Sequence, residues 1–585
     1  MADIQYKEKK WIGSEGIEKK GFERADRLAL AAIILLYSFV SLFGLGSRQM
    51  PQTAAHLIPD SGGSHEIILD LGKQSKLDAV YIHLGHMLDR VVAISYYDEE
   101  AGGWLPLQEE VELQANYNWN KVIVNKEIRY LGIVSRSGKA VFHEMVLLDT
   151  AGNRLLPKNH EEYPLLFDEQ ELFFDELTYY YRTMFDEVYY AGSAYEFLNG
   201  LEMFEETHPP MGKILIAVGE WIFGINPFGW RISCAVFGIL MLPLICWFLY
   251  RIFKNSRIAL IGTVLLSLDF MHFTLSRIAT LDTIIAFFIL AMFAFMWKIV
   301  EIAKEEKKAD RRRPSKRMSL WMTGCAVFTG IGVATKWTGF YAMAGIACIF
   351  LGVIFREIVQ DSRKKSSKAY SLWLLGEGVL IFGIIPVSIY TLSFLPQTIA
   401  TGKSNVFKVM WDSSVFMLNF HRSIVFEHPY ESPWYTWPWI RTPLVDAVNS
   451  LKDGMCSIVV TMGNPIIWWF GFAAFFHMLY RLVCKRDRKA GYLIYAYLVM
   501  YVPWFFVNRT VFIYQYYGSS LFMICMLAYS LYLFGQRRKK LIPVFLEVSL
   551  FIFILFYPLI SGFEVSPYYI ETWLEWLPTW NFTGV

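Results

Sequence analysis

The chain has 585 residues, of which 55% are hydrophobic, 17% aromatic and only 18% charged. This composition is too apolar for a string of soluble domains and predicts a protein that lies largely in lipid. The formal net charge of +2 excludes little, because orientation in a membrane depends on where lysine and arginine lie relative to the spans.

Apolar runs long enough to cross a bilayer are the dominant pattern along the chain. A hydrocarbon core about 30 Å thick needs roughly 20 such residues in a helix. We expect the first run to remain as a span, since it follows a long charged N-terminus and has no small-residue cleavage site after it. The stretch 212–224 is too short to cross and predicts a helix at the membrane surface. About eleven runs predict spans: 28–46, 229–250, 257–275, 279–299, 319–335, 338–355, 371–394, 457–480, 491–507, 511–534 and 541–561.

Basic residues cluster at alternate connections between these runs. The clusters are 7–27, 251–257, 304–317, 356–368, 485–489 and 537–540. Because positive residues favour the cytoplasmic side, we expect a cytoplasmic N-terminus and an extracytoplasmic C-terminus in a cell membrane. Two large segments, 47–211 and 396–456, then lie outside. The 304–317 run is interpreted as a cytoplasmic connection and not as a nucleic-acid site.

The first outer segment begins with a pattern typical of strands. Short alternating or β-rich runs are separated by Gly, Asp and Asn turns, which predicts an all-β sandwich. The stretch Ile128–Asp149 is similar to the closing strands of a galactose-binding-like (discoidin-type) jelly roll, and this resemblance implies a domain that binds a glycan or contacts the acceptor. The predicted strands are 66–71, 79–84, 91–97, 121–124, 130–134 and 141–148.

Charged and aromatic residues gather at the outer ends of the spans. An ionised side chain within hydrocarbon costs about 2.5–3.5 kcal/mol on insertion scales, so such residues need a reason to be there. Because the predicted topology puts them on one side, a single external site could contain acids, bases and aromatic walls. The candidates are Asp186, Glu187, His208, Lys213, Arg231, Arg277, Asp282, Lys336, Trp337, His428, Trp434, Tyr435, Trp437 and Arg509.

Five motifs in this set, taken in order, resemble the protein O-mannosyltransferases, membrane enzymes of the GT-C architecture. They are FDE at 185–187, HPPMGK at 208–213, SRIATLD at 276–282, ATKWTG at 334–339 and HPYESPWYTWP at 428–438. The resemblance covers about residues 170–560 and implies eleven spans with the same orientation. The chain departs from fungal and animal members because no β-trefoil interrupts the second outer loop, and because the β-sandwich precedes FDE. The loop form predicts a bacterial member.

The resemblance implies transfer of mannose from polyprenyl-phosphate-mannose to Ser or Thr hydroxyls of exported proteins, with inversion. The family's catalytic aspartate falls on Asp186, and a carboxylate there suits a base that accepts the acceptor hydroxyl's proton. Glu187 is assigned to acceptor binding or orientation. Arg231 is the first choice for the donor phosphate, because a guanidinium offers forked, permanently charged donors. The other cation candidates are Lys213, Arg277, Lys336 and Arg509.

The remaining candidates are assigned to sugar or acceptor binding, because flat rings stack on pyranose faces. They are His208, Asp282, Trp337, His428, Trp434, Tyr435 and Trp437. No obligatory cofactor is predicted, and the sequence leaves open a divalent ion at the acidic pair. The seven cysteines lie in or beside apolar runs without a CxxC pair, so a disulfide scaffold or zinc site is not favoured.

Several alternatives stay open at this point. Asp186 and Glu187 could merely solvate an external helix, the cations could anchor span ends at the interface, and the tryptophans could form the interfacial aromatic belt. Asp269 could line the cavity or pair with a neighbouring helix. The acceptor could be a cell-envelope glycan or lipid. The sequence does not determine which sugar is transferred, how long the carrier lipid is or whether the protein forms a dimer.

A transporter or receptor that binds carbohydrate through the β-sandwich is the alternative from another class. Transporters usually carry midplane charges, matched broken helices and internal symmetry, whereas the charges here concentrate at the external ends.

The sequence predicts seven segments along the chain. They are a cytoplasmic N-terminus and first span at 1–48, the β-sandwich at 49–157, a catalytic loop with interfacial helices at 158–228, spans at 229–395, a second outer loop at 396–456, spans at 457–562 and an outer tail at 563–585.

Overall fold

The computed structural model describes residues 18–57, 66–86, 91–113, 116–135, 140–174, 176, 178–364, 368–424 and 427–583. Two parts of the predicted basic clusters, residues 7–17 and 365–367, lie outside the described residues. Helices make up most of the described chain, together with one large and one small antiparallel sheet.

The helices follow the apolar runs of the sequence closely. In chain order they are α1 (Arg24–Leu42), α2 (Glu187–Leu198), α3 (Met211–Phe223), α4 (Pro227–Phe253), α5 (Ser256–Ser267), α6 (Phe270–Ser276), α7 (Leu281–Lys308), α8 (Lys316–Thr335), α9 (Thr338–Lys364), α10 (Ala369–Ser393), α11 (Leu395–Ala400), α12 (Val406–Ser423), α13 (Pro465–Lys485), α14 (Arg488–Tyr501), α15 (Tyr517–Gly535), α16 (Leu541–Ser561) and α17 (Pro567–Trp573). Within the described residues, nine helices are long and apolar enough to cross a membrane. The predicted polytopic helical fold is therefore confirmed.

Two predicted spans are not single straight helices. Helices α5 and α6 meet at a 60° bend and together make a tenth candidate span. The run 491–507 contains the shorter helix α14, followed by a 3-10 turn at Val502–Phe506. The prediction that a span begins at 457 is wrong, because Cys456–Thr461 is a strand and α13 begins at Pro465, where Asn464 caps it. An Asn-Pro pair is a helix start signal that apolar composition alone hides.

The bend between α5 and α6 explains Asp269, which the sequence left open. Its carboxylate accepts hydrogen bonds from the Trp468 indole at 2.7 Å and from the backbone N–H groups of His272 and Asn464 at 3.3 Å. Asp269 therefore caps α6 and ties the bend to α13, and it does not line the cavity described below.

The β-domain between α1 and α2 is one hydrogen-bonded antiparallel sheet with one main hydrophobic core and a smaller buried cluster that contains Trp119 and Phe173. Its strands are β1 (Ala55–Leu57), β2 (Glu66–Leu84), β3 (Val91–Asp98), β4 (Gly103–Glu112), β5 (Asn118–Ser135), β6 (Ala140–Asp149) and β7 (Arg154–Leu155), in the order β1-β6-β2-β5-β3-β4 with β7 beside β6. Pairing of β2 with β5 is interrupted between Asp70 and Ser75, and residues on both sides of this irregularity share one core. The all-β prediction is confirmed, whereas the jelly-roll assignment stays a prediction.

Strand boundaries differ from the predicted ones in two ways. The runs 66–71 and 79–84 join into β2, and the runs 121–124 and 130–134 join into β5, because the chain stays extended through the polar residues between them. Strand β4 was not predicted, since its sequence GWLPLQEEVE contains a proline and several acidic residues, and most of its side chains are exposed. A smaller sheet combines β8 (Leu444–Ser450), β9 (Cys456–Thr461) and β10 (Glu564–Val565) in the order β10-β9-β8.

Candidate active site

A cavity of about 830 Å³ is bordered by connections between the helices and by the ends of α2 and α12. Five of the predicted site residues line it: Asp186, His208, Lys336, Trp337 and Arg509. They come from four separate parts of the chain, as the predicted single site requires. Glu205 and His421, which sequence reasoning missed, lie in the same wall.

Asp186 lies immediately before α2, and its side chain makes no capping hydrogen bond to that helix. The carboxylate is therefore available to the cavity. Burial raises the pKa of Asp186 to about 7, with Asp282 and Glu205 adding to the rise and Lys336 opposing it. A carboxylate whose pKa lies near neutral pH is well matched to accept a proton from a hydroxyl.

Glu187 has a different role from the predicted acceptor contact. Its side chain is fully buried, and its two oxygens accept hydrogen bonds from Nε and Nη2 of Arg231, each at 2.7 Å. The backbone N–H groups of Met184 and Ala279 donate to the same carboxylate at 3.0 and 2.8 Å. Glu187 therefore fixes the start of α2 against α4 and the segment before α7, and it does not line the cavity.

The prediction that Arg231 contacts the donor phosphate does not agree with its position. The side chain is 0% exposed, and besides Glu187 it donates to the carbonyl oxygens of Leu45 at 3.0 Å and Arg182 at 2.8 Å. All three guanidinium nitrogens thus have internal partners. The sequence shows that an arginine stands at a span end but does not show the buried glutamate that neutralises it.

Arg277 and Lys213 are also held inside the protein, away from the cavity lining. Arg277 donates to the carbonyl oxygens of Ser41 at 2.6 Å, Phe43 at 2.8 Å and Gly44 at 2.9 Å, so it secures the end of α1. Lys213 is 0% exposed and donates to the Glu205 carboxylate at 2.6 Å. These two predicted phosphate contacts are therefore replaced by structural roles.

Lys336 and Arg509 are the predicted cations that do line the cavity. Nζ of Lys336 lies 2.8 and 2.9 Å from the two oxygens of Asp282, so Asp282 orients the lysine. Nη1 of Arg509 lies 3.4 Å from Nδ1 of His421. Within the described residues Arg509 has no carboxylate partner, and burial lowers the pKa of His421 to about 4, which leaves that ring neutral at pH 7. Arg509 therefore brings a positive charge to the cavity lining, and no carboxylate of the described residues pairs with it directly.

Two histidines and Glu205 form a cluster in the cavity lining. Nδ1 of His208 lies 3.3 Å from the Glu205 carboxylate, and the rings of His208 and His421 are 5.3 Å apart. Burial lowers the pKa of His208, which favours its neutral form. Burial alone would raise the pKa of Glu205, but Lys213 and His208 outweigh it and bring the pKa below its usual range. Glu205 thus remains ionised while Asp186 titrates near neutrality.

The aromatic motif at 428–438 packs beside the cavity without lining it. Trp437 is fully buried and donates to the Ser432 carbonyl at 2.9 Å, while Trp434 stacks on Phe505 with ring centroids 3.7 Å apart. Tyr435 is exposed, and the His428 ring lies 5.0 Å from Phe512, a lining residue. These four residues were predicted to bind sugar or acceptor, and none of them lines the cavity: His428, Trp434, Tyr435 and Trp437.

The sheet domain contacts the chain on both sides of Asp186. The Thr183 hydroxyl donates to the backbone oxygen of Asn116 at 2.7 Å, and the Asn116 side-chain amide donates to the Val188 oxygen at 3.4 Å. Tyr117, next in the chain, is fully buried against Trp230, with ring centroids 6.0 Å apart. Sequence reasoning missed this contact, because polar residues in a strand connection give no sign of what they face.

Comparisons with known proteins agree with this architecture. Residues 172–400 match the family described as dolichyl-phosphate-mannose-protein mannosyltransferase, and residues 406–580 match the C-terminal four-span region of protein-O-mannosyltransferase. A polyprenol-phosphate-mannose–protein mannosyltransferase of Mycolicibacterium smegmatis (strain MKD8) is 28% identical over 462 residues, covering 68% of this chain and 87% of the relative. The enzyme of the same name from Mycobacterium tuberculosis (strain H37Rv) is 27% identical over 465 residues, covering 68% and 86%.

The fold has a counterpart of known structure. The Saccharomyces cerevisiae protein O-mannosyltransferase Pmt1–Pmt2 complex bound to the sugar donor aligns with a TM-score of 0.59 at 14% identity, over 68% of this chain and 89% of that one. This likeness confirms the predicted GT-C fold class. The two family models together span more than half of the chain, and the sheet domain precedes both. The chain therefore belongs to the protein O-mannosyltransferase family of multi-pass membrane glycosyltransferases.

Proposed function

We propose that this enzyme transfers mannose from polyprenyl-phosphate-mannose to Ser or Thr hydroxyls of exported proteins, with inversion at the anomeric carbon. The observation that carries the proposal is the joint lining of one cavity by Asp186 and the two cations Lys336 and Arg509. The names of the mycobacterial relatives support this donor and this class of acceptor.

Asp186 is the proposed base. The acceptor oxygen forms a bond to the anomeric carbon while the bond from that carbon to the phosphate oxygen breaks, and the hydroxyl proton passes to the Asp186 carboxylate. The hydroxyl becomes acidic only as the anomeric bond breaks, so a base with a pKa near 7 is sufficient. Asp186 then returns the proton to solvent.

Lys336 and Arg509 are the proposed phosphate contacts. The leaving polyprenyl phosphate gains negative charge as the bond to the sugar breaks, and fixed cations stabilise that charge. Arg509 suits this task because its guanidinium has no carboxylate partner within the described residues. His208 and Trp337, which also line the cavity, are proposed to contact sugar or acceptor.

The cavity is proposed to face the extracytoplasmic side. The basic clusters at alternate connections support this orientation. Single reporter tags in the 304–317 connection and in the exposed turn at Asp453 test it directly. We expect the first tag to be cytoplasmic and the second to be outside, and the reverse result would contradict the orientation.

Substitution of the base tests the proposed reaction. Asp186→Asn should lower transfer from a labelled polyprenyl-phosphate-mannose at least about a thousandfold, because the shape is kept and the proton acceptor is lost. Asp453→Asn, a change of the same chemistry in an exposed turn, is the matched control and should leave transfer unchanged. Retained transfer in Asp186→Asn would refute the proposed base.

The same assay identifies the acceptor class. Label bound to protein is released as small glycopeptides by protease, whereas label on a lipid partitions into organic solvent and label on a glycan does neither. We expect protease-sensitive label. The other two outcomes would keep the donor chemistry and replace the acceptor by a cell-envelope lipid or glycan.

A further inference from the structure

Helix α12 in the second outer loop buries one face and exposes a second apolar one. Its inner face places Val409, 3% exposed, and Met417, 1% exposed, in a cluster with Phe394. On the outer side, Phe407 and Trp411 are 64% and 65% exposed, although both are large and apolar. Such exposure needs a partner, because contiguous exposed apolar surface marks an interaction site.

The exposed apolar residues form a stripe along the helix. Phe407, Trp411 and Val415 follow one another at intervals of four residues, which puts them on one face. Lys408, Asp412 and Asn419 are exposed and form a second, polar stripe about a quarter of a turn away. Two parallel stripes of opposite character are typical of a helix that lies at the boundary between lipid and water.

The apolar stripe follows directly on a surface that faces lipid. Helix α10 is a candidate span, and its outward residues Ile384, Val387 and Leu392 are each about 60% exposed. Helix α11 continues the same outer surface with Ile399, 67% exposed, only eight residues before Phe407. We therefore expect the bilayer, which covers the outward residues of α10, to cover the apolar stripe of α12 as well.

We propose that α12 docks on the membrane surface, with the stripe Phe407, Trp411 and Val415 in the lipid and the polar stripe in water. Exposed Lys403 and Lys408 lie near the N-terminal end of the helix, where phospholipid phosphates would meet them. The C-terminal turn of α12 lines the cavity through His421. Helix α12 thus places the mouth of the cavity at the bilayer surface, where a lipid-linked substrate arrives.

Spin labels on single cysteines test this docking in the full chain. The exposed native Cys348 and Cys484 are first replaced by serine, and the chain is placed in phosphatidylcholine–phosphatidylglycerol vesicles. Labels at Phe407→Cys and Trp411→Cys should relax faster with oxygen, which concentrates in lipid, than with a water-soluble nickel chelate. Labels at Lys408→Cys and Asp412→Cys should show the opposite preference.

Two reference positions calibrate the measured accessibilities to oxygen and nickel. Ile384→Cys on α10 is the reference for lipid, and Asp453→Cys is the reference for water. Nickel accessibility of positions 407 and 411 equal to that of Asp453→Cys would overturn the proposal. Protection of both positions from both reagents, with dipolar broadening of the spectra, would also overturn it, because a second copy of the chain would then cover the stripe. Neither reading depends on the transfer reaction.

Discussion

Asp186 should give the enzyme a pH dependence with a defined sign. Its pKa is raised to about 7, so the carboxylate form predominates above that pH and is lost as the pH falls through it. We expect kcat/KM to be level above about pH 7.5 and to fall about tenfold per pH unit below about pH 6.5. Initial rates from about pH 5.5 to about pH 8.5 measure this.

Lys336 supplies the internal control for this assignment. It lowers the pKa of Asp186, so Lys336→Gln should move the acid limb to higher pH in addition to slowing transfer. A limb that stays in place would assign the titration to another group. A rate independent of pH across the range would show that Asp186 does not act as the base.

At the scale of single residues, the sequence motifs predicted some of the residues that line the cavity and also pointed to residues that do not. Asp186, Lys336 and Arg509 do line the cavity, because their motifs lie in connections that the topology brings together. Arg231 and Lys213 could not be separated from them by sequence. Burial and a partner such as Glu187 decide whether a cation faces a ligand or the protein. These partners depend on how the chain folds back, over 44 residues for Arg231 and over eight for Lys213.

The ion pair between Glu187 and Arg231 should stabilise the start of α2 against α4. Both side chains are fully buried, so removing one partner leaves an uncompensated charge. We expect Arg231→Met to cost about 3–5 kcal/mol of folding free energy. The double variant Glu187→Leu with Arg231→Met should recover a large part of that loss, measured as melting temperature in detergent. A single variant as stable as the unmodified chain would contradict the structural role.

The contact of Thr183 with Asn116 should position the base without supporting the whole fold. Thr183→Val keeps the shape and removes the hydroxyl that donates to the Asn116 oxygen. We expect kcat to fall about five- to tenfold with KM for the donor nearly unchanged, since a hydrogen bond contributes about 1 kcal/mol. Thr183→Ser keeps the donor and should restore kcat.

Melting temperature separates positioning from general support in this pair of variants. A Thr183→Val chain with a lowered melting temperature and an unchanged kcat would mean that the contact serves stability alone. Loss of activity in Thr183→Ser with full activity in Thr183→Val would point to the methyl group of Thr183 instead of its hydroxyl.

At the scale of helices and strands, the sequence predicted what composition controls. Long apolar runs gave the spans, because hydrocarbon imposes their length and character. The bend at Asp269 and the strand β9 were not predicted, since both lie in apolar sequence and depend on partners from α13 and β8. Helix α12 was not predicted within 396–456, because its two apolar faces interrupt a simple amphipathic pattern.

At the scale of the whole molecule, the sheet domain packs against the helices and against the segment that carries Asp186. Met50 and Tyr117 belong to the same hydrophobic cluster as Trp230 and the core of the spans. The domain lies before the part of the chain that the family models match, yet it touches the segment that carries Asp186. The sequence predicted its β character but not this docking, which depends on surface complementarity.

One cavity brings Asp186 together with Lys336 and Arg509, the cations proposed to receive the donor phosphate. A density map of the full chain with a polyprenyl-phosphate bound in lipid nanodiscs tests it most directly. We expect phosphate oxygens within hydrogen-bonding distance of Lys336 or Arg509, with the Asp186 carboxylate facing the same space. A phosphate bound at Arg231, or outside this cavity, would contradict it.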